Sequence, residues 1–163
     1  MVYPAGFKDE PRANNNIAAY TAEDTMSAIR ILIADDHALV RESIRAILAN
    51  QVDMEIVATA GDGNEAVALA MIHQPDVVVM DISMPSMDGL HATELIHRAQ
   101  EGTNIVILSM HVNAALVQQA LRMGARGYVL KRRAADELPQ AIRATVQGQL
   151  FLSPAIPPSY LPR

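Results

Sequence analysis

Five short apolar runs alternate with stretches of helical periodicity, and this alternation constrains the fold more than any other feature of the sequence. Short runs rich in Val, Ile and Leu are typical of strands that are buried on both faces. Strands that alternate with helices predict a parallel sheet covered on both faces, and right-handed crossovers restrict its topology to a doubly wound one. We therefore predict an α/β fold, a (βα)5 doubly wound five-stranded parallel sheet in the order 2-1-3-4-5. The predicted strands are Ile29 to Ala34, Met54 to Ala60, Asp76 to Met80, Asn104 to Ser109 and Gly127 to Leu130.

The segments that follow the predicted strands carry apolar residues at the spacing of one helix face. Gly124 and Gly148 come after the fourth and fifth of these stripes, where a left-handed helix cap belongs. In the last helix, Asp136 as N-cap would start the helix at Glu137 and put Pro139 in the first turn, where its missing N–H is no loss. The stripes are Val40, Ile44, Ile47 and Leu48; Ala66, Val67, Ala70 and Met71; Ala92, Leu95, Ile96 and Ala99; Leu116, Val117, Ala120 and Leu121; and Leu138, Ile142 and Val146.

The two ends of the chain differ in composition from this alternating segment. Residues 1–26 contain scattered prolines, Gly6 and the run Asn14-Asn15-Asn16, so we predict a disordered N-terminal extension. Residues 27–152 are predicted to form one folded domain. Residues 153–163 hold Pro154, Pro157, Pro158 and Pro162, which predicts a proline-rich linker stub.

Composition narrows the possible functions. The sequence is 50% hydrophobic but only 4% aromatic, so the core must be aliphatic. It contains no cysteine, which excludes disulfides and zinc-thiolate sites and agrees with a cytoplasmic protein. The net charge of -5 argues against direct binding of nucleic acid. No apolar stretch approaches the roughly 18 residues of a membrane-spanning helix.

Charged and polar side chains stand at the carboxyl ends of the predicted strands. Asp35 and Asp36 follow strand 1, Asp81 follows strand 3, Ser109 ends strand 4 and Lys131 follows strand 5. In an open doubly wound sheet the ligand crevice lies at this edge, so we expect these side chains to converge there. Three carboxylates at close quarters repel unless a cation lies among them, and Mg²⁺ is the predicted cofactor because it prefers oxygen ligands.

A magnesium ion beside Asp81, with Lys131 and Ser109 on the far side, would suit a phosphoryl group carried on the Asp81 carboxylate. The cation, the ammonium and the hydroxyl would each meet a phosphoryl oxygen, which is the charge stabilisation that phosphoryl transfer needs. Asp81 would then be the nucleophile.

With these residues in place, the sequence resembles the receiver domain of two-component response regulators over roughly Ile29 to Leu152. The details Leu-Ser-Met-His, Gly-Ala-Arg-Gly-Tyr and Gly-Gln-Leu-Phe-Leu-Ser-Pro are similar to the NarL/FixJ subfamily, whose members usually continue into a LuxR-type helix-turn-helix domain. The motifs are Ile33-Ala-Asp35-Asp36-His37, Asp81-Ile-Ser-Met-Pro-x-Met-Asp-Gly89, Leu108-Ser109-Met-His111 and Gly124-Ala-x-Gly127-Tyr128-x-x-Lys131.

The resemblance implies a flavodoxin-like receiver fold and a signalling switch rather than an enzyme that turns over a separate substrate. Asp81 would accept a phosphoryl group from a sensor histidine kinase, and Mg²⁺ would be held by Asp36, Asp81 and the backbone carbonyl of Ser83, with Asp35 acting through water. Ser109 and Tyr128 would form a coupled switch. A homodimer on phosphorylation is plausible, and DNA would be reached only through a helix-turn-helix domain absent from this chain.

Other interpretations stay open. Asp88 could be only a helix cap, because Asp is a favoured N-cap residue. A phosphatase of the haloacid dehalogenase kind also uses an Asp nucleophile with magnesium, but it needs an acid two residues later, where this chain has Ser83. A flavodoxin-type nucleotide or flavin module is disfavoured because Asp35-Asp36 would repel phosphate, and an adaptor that is not phosphorylated is disfavoured because the chemical residues are present.

Overall fold

Residues 27–163 are described by a computed structural model of the chain, and the predicted disorder of residues 1–26 lies outside the described residues. One parallel sheet runs through this part of the protein in the order β2-β1-β3-β4-β5-β6. The order of the first five strands confirms the doubly wound prediction. The strands are β1 (Ile29–Ala34), β2 (Met54–Ala60), β3 (Val77–Asp81), β4 (Asn104–Ser109), β5 (Gly127–Leu130) and β6 (Phe151–Leu152).

Helices separate the first five strands and cover the sheet on both faces. Two apolar clusters, one on each face, make up the core. Apart from Tyr128, their buried members are aliphatic, as the composition predicted. The helices are α1 (Ala38–Ala49), α2 (Gly63–His73), α3 (Gly89–Ala99), α4 (Ala114–Arg122) and α5 (Ala134–Val146).

The predicted sheet of five strands is corrected to six. Phe151 and Leu152 pair in parallel with Gly127 and Tyr128 and extend the sheet beyond β5. A strand of two residues is too short to show any periodicity, so the sequence pattern contained no signal for it. The chain beyond it also packs on the domain, since Ser153 and Ile156 are buried.

The predicted start of the last helix is wrong. A 3-10 turn, Lys131–Arg133, runs directly into α5, which begins at Ala134 with Arg133 rather than Asp136 at the cap position. Pro139 therefore lies inside the helix, where it is buried and leaves the helix one hydrogen bond short. Burial of the helix face outweighs this local cost.

The end of β3 and the residues that follow α4 and α5 were also predicted from the sequence. Strand β3 is shifted by one residue from its prediction, so that Asp81 is its last residue and pairs with Leu108 of β4. Gly124 and Gly148 both have positive φ, 109° and 79°, as the predicted left-handed caps require. At Gly124 a Cβ atom would also collide with the ring of His97.

Candidate functional site

Three carboxylates meet at the carboxyl edge of the sheet. Asp35 and Asp36 follow β1, and Asp81 ends the neighbouring strand β3. One ligand atom from each of them, and one from His37, lie within 4.8 Å of one another. The convergence predicted from strand order is therefore present in the structure.

Lys131 connects two of these carboxylates. Its Nζ lies 2.8 Å from Oδ2 of Asp35 and 3.2 Å from Oδ1 of Asp81. The Asp35 side chain is 1% exposed and that of Lys131 only 13%. Burial alone would lower the pKa of Lys131, but its contacts with the two carboxylates outweigh burial and raise the pKa, so the ammonium stays charged.

The Asp81 carboxyl is in an unfavourable place for a negative charge. Burial raises its pKa above the ordinary value, and repulsion from Asp35 raises it further, against the opposing pull of Lys131. One ammonium is thus too little positive charge for three carboxylates. A further cation would offset the negative charge that Lys131 leaves unbalanced at this site.

Asp35 is fixed by its neighbours in the loop after β1. Its Oδ1 accepts a hydrogen bond from the backbone N–H of His37 at 2.9 Å, and its carbonyl accepts one from Arg41 at 2.7 Å. Its enclosed Oδ2 faces Nζ of Lys131 at 2.8 Å, so the ammonium is the partner of this buried oxygen.

The donor set fits magnesium. Carboxylate and carbonyl oxygens are the hard ligands that Mg²⁺ prefers, and Asp36 and Asp81 would hold the ion while Asp35 would act through water. Ser83 lies in the exposed loop that follows β3, and the use of its carbonyl as a ligand stays a prediction. His37 adds an imidazole that sequence reasoning did not assign to the site, with Nδ1 3.0 Å from Oδ1 of Asp36.

The loop after β3 folds back tightly on the strand. The N–H of Gly89 donates to the carbonyl of Ile82 at 2.8 Å, and a Cβ on Gly89 would lie 1.8 Å from the Asp81 carbonyl oxygen. Only glycine fits this approach. Asp88 caps α3 by accepting from the N–H of His91 at 2.8 Å, which supports the capping interpretation of that residue.

Ser109 and Tyr128 are linked through His111. Oγ of Ser109 accepts a hydrogen bond from the backbone N–H of His111 at 3.1 Å, and the Tyr128 hydroxyl donates to the His111 carbonyl at 2.7 Å. The Tyr128 side chain is fully buried, and burial raises the pKa of its hydroxyl. The bridging by His111 is a backbone contact, so no residue-type signal in the sequence could have found it.

The family model of the response regulator receiver domain matches residues 31–143, which include the whole acidic cluster and Lys131. The chain belongs to the response regulator receiver domain family. Oxygen regulatory protein NreC of Staphylococcus carnosus is 44% identical to this receiver domain over 127 residues, which are 77% of this chain and 58% of that protein. The chain thus spans little more than half the length of that curated relative.

Solved structures agree with this assignment. A two-component response regulator of the LuxR family from Aurantimonas sp. SI85-9A1 superposes with a TM-score of 0.76 at 38% identity, covering 80% of this chain and 93% of that one. The isolated REC domain of RcsB from Salmonella enterica serovar Typhimurium, in the presence of phosphomimetic BeF3-, superposes with a TM-score of 0.75 at 27% identity, covering 83% and 100%. These relatives are consistent with the subfamily that the motifs indicate.

The helices within residues 27–163 were compared with the length and hydropathy of a membrane span. None of them has both the length and the apolar character that crossing a bilayer requires.

Proposed function

We propose that this receiver domain is a phosphorylation-controlled switch in which Asp81 accepts a phosphoryl group from a sensor histidine kinase. The main support is the position of Asp81. Its carboxylate ends β3 beside two other carboxylates and 3.2 Å from the Lys131 ammonium, at the edge where a doubly wound sheet binds its ligand. A nucleophile in this place has fixed positive charge beside it.

Transfer of a phosphoryl group to Asp81 can be described with the side chains at this edge of the sheet. A carboxylate oxygen of Asp81 attacks phosphorus, the P–N bond of the donor phosphohistidine breaks, and its electron pair returns to the imidazole nitrogen. The product is an acyl phosphate whose oxygens meet the Lys131 ammonium and the Ser109 hydroxyl. Magnesium, held by Asp36, Asp81 and the Ser83 carbonyl with Asp35 acting through water, would supply positive charge to the phosphoryl oxygens. The domain would catalyse only its own phosphorylation and dephosphorylation.

Phosphorylation would then act as a switch. It replaces the single negative charge of the Asp81 carboxylate with a phosphoryl group that carries about -1.5 to -2. Ser109 would turn toward the phosphoryl group, and this would favour the buried position of the Tyr128 ring because His111 connects the two residues. Moving a two-state surface from 1:99 to 99:1 requires about 5.5 kcal/mol, which a few charge-assisted hydrogen bonds could supply.

The phosphorylated domain would control transcription, either by dimerising or by changing another part of its surface. The protein would act in the cytoplasm. Support comes from the relatives, one described as an oxygen regulatory protein and another as a LuxR-family response regulator. DNA would be contacted only by a domain outside these 163 residues, since the net charge of -5 is unsuited to it.

The test is intact mass after incubation with acetyl phosphate and magnesium. The wild type should gain one phosphoryl group, and Asp81→Asn should gain none. Asp88→Asn is the matched control, because Asn also caps a helix and this residue lies in the same loop. Labelling of Asp81→Asn, or no labelling of wild type, would falsify the proposal. Steady hydrolysis of small phosphomonoesters would favour the phosphatase alternative instead.

A further inference from the structure

Residues 151–160 follow α5 and lie along the open edge of β5, and we call them the C-terminal strap. The strap begins with β6, in which Phe151 donates its N–H to the carbonyl of Arg126 at 2.9 Å. Ser153 then donates its N–H to the carbonyl of Tyr128, also at 2.9 Å. The strap therefore closes the sheet edge that β5 would otherwise leave open.

Side chains anchor the strap on both sides of β5. Ile156 is 5% exposed and belongs to the same apolar cluster as Tyr128 and Val117. Tyr160 packs against that cluster, and the 3-10 turn Pro158–Tyr160 contacts α4. On the other side the buried Ser153 donates its hydroxyl to Glu137 of α5 at 2.6 Å.

The strap is connected to the acidic site through Tyr128. The backbone of Tyr128 is held by Ser153, and its hydroxyl by the carbonyl of His111. The N–H of His111 donates in turn to Oγ of Ser109, at the end of β4. Three hydrogen bonds, joined through the covalent structure of Tyr128 and His111, thus connect the strap to the hydroxyl that would meet the phosphoryl group.

We propose that the strap is an intramolecular ligand of the α4 and β5 face, which holds the Tyr128 ring inward and is thereby coupled to phosphorylation of Asp81. The coupling rests on the function proposed above. Because Ile156 fills space in the cluster that contains the Tyr128 ring, undocking the strap would open room for the ring to leave. Docking of the strap and phosphorylation therefore favour each other, and this coupling is reciprocal. A partner that binds this face must displace the strap.

Two variants of the complete chain test docking by hydrogen exchange. Ile156→Ala removes the buried anchor, and Ser153→Ala removes the bond to Glu137 with less risk to folding. Exchange at the Phe151 and Ser153 amides should become at least about tenfold faster in Ile156→Ala. Leu150→Ala, at an exposed position just before the strap, should exchange like wild type, and Ile156→Val should restore most of the protection. Unchanged exchange in both strap variants would overturn docking.

Coupling is tested with beryllofluoride and magnesium as the probe. In wild type the probe should slow exchange at the same two amides, and in Ile156→Ala the concentration needed for half-saturation should rise several-fold, as reciprocity requires. A wild type that labels on Asp81 yet shows no effect of the probe on the strap overturns the coupling alone. A wild type that does not label overturns the proposed function, whereas strap docking is decided by the exchange measurement without the probe.

Discussion

Nζ of Lys131 lies 3.2 Å from Oδ1 of Asp81, although the two residues stand at the ends of strands that β4 separates. The lysine reaches across the edge of the sheet and brings one positive charge to a cluster of three carboxylates. Its contact with Asp35, at 2.8 Å, makes it the shared partner of two nearly buried carboxylates. This arrangement leads to the first two predictions.

Lys131→Ala should lower the rate of labelling by acetyl phosphate about a hundredfold, the usual cost of removing one fixed donor from a developing anion. Magnesium affinity should not fall, because the change removes a competing cation. Mass spectrometry would measure labelling, and calorimetric titration would measure magnesium binding. Arg132→Ala, at the exposed next residue, is the control and should label normally. A labelling rate unaffected by loss of Lys131 would contradict the assigned role.

Asp81→Asn should increase the free energy of unfolding at pH 7 without magnesium, on the order of 1 kcal/mol. Burial and then Asp35 raise the pKa of Asp81 in the folded state, so the folded protein binds this proton more tightly than the unfolded one. Stability is thus lost as pH rises from the unfolded pKa through the folded one. The advantage of the variant should shrink below about pH 4 and with added magnesium, as measured by urea unfolding. A variant less stable than wild type at pH 7 would refute this account.

Gly89→Ala should destabilise the domain by roughly 1–3 kcal/mol, because a Cβ there would overlap the Asp81 carbonyl and force the backbone apart. Labelling should fall too, since the displaced carbonyl belongs to the nucleophile. Gly102→Ala is the matched control, because a Cβ at that position meets nothing within 4 Å. Thermal unfolding and intact mass together would check the prediction, and equal behaviour of the two variants would contradict it.

The ion pair of Asp53 with Arg143 should give a small, acid-sensitive contribution to stability. Arg143 donates to both carboxylate oxygens at 2.8 Å, and these hydrogen bonds lower the pKa of Asp53 below its usual value. The contribution is therefore present above the unfolded pKa and is lost as pH falls through the folded one. Both side chains are about 40% exposed, so solvent screening limits the loss in Asp53→Asn to less than about 1 kcal/mol at pH 7. The difference from wild type should vanish near pH 2 in urea unfolding, and a loss that persists there would point to another cause.

The sequence by itself predicted the order of the first five strands and hence the sheet edge at which the site lies. Asp35, Asp81 and Lys131 are far apart along the chain, yet each directly follows or ends an apolar run. In a parallel sheet all such ends lie at one edge, so identifying the strands was enough to bring the side chains together. The contacts that place Lys131 between Asp35 and Asp81 then follow from the strand register.

Only the tertiary structure decided the features that depend on packing between distant segments. Asp136 is a better cap than Arg133 by local preference, but the 3-10 turn after β5 sets the start of α5 earlier. Ile156 stands among prolines without periodicity, and nothing local distinguishes it from a linker residue. It is buried because the β5 edge and α4 offer an apolar surface within reach, and burial of that kind is a property of the assembled fold rather than of neighbouring residues.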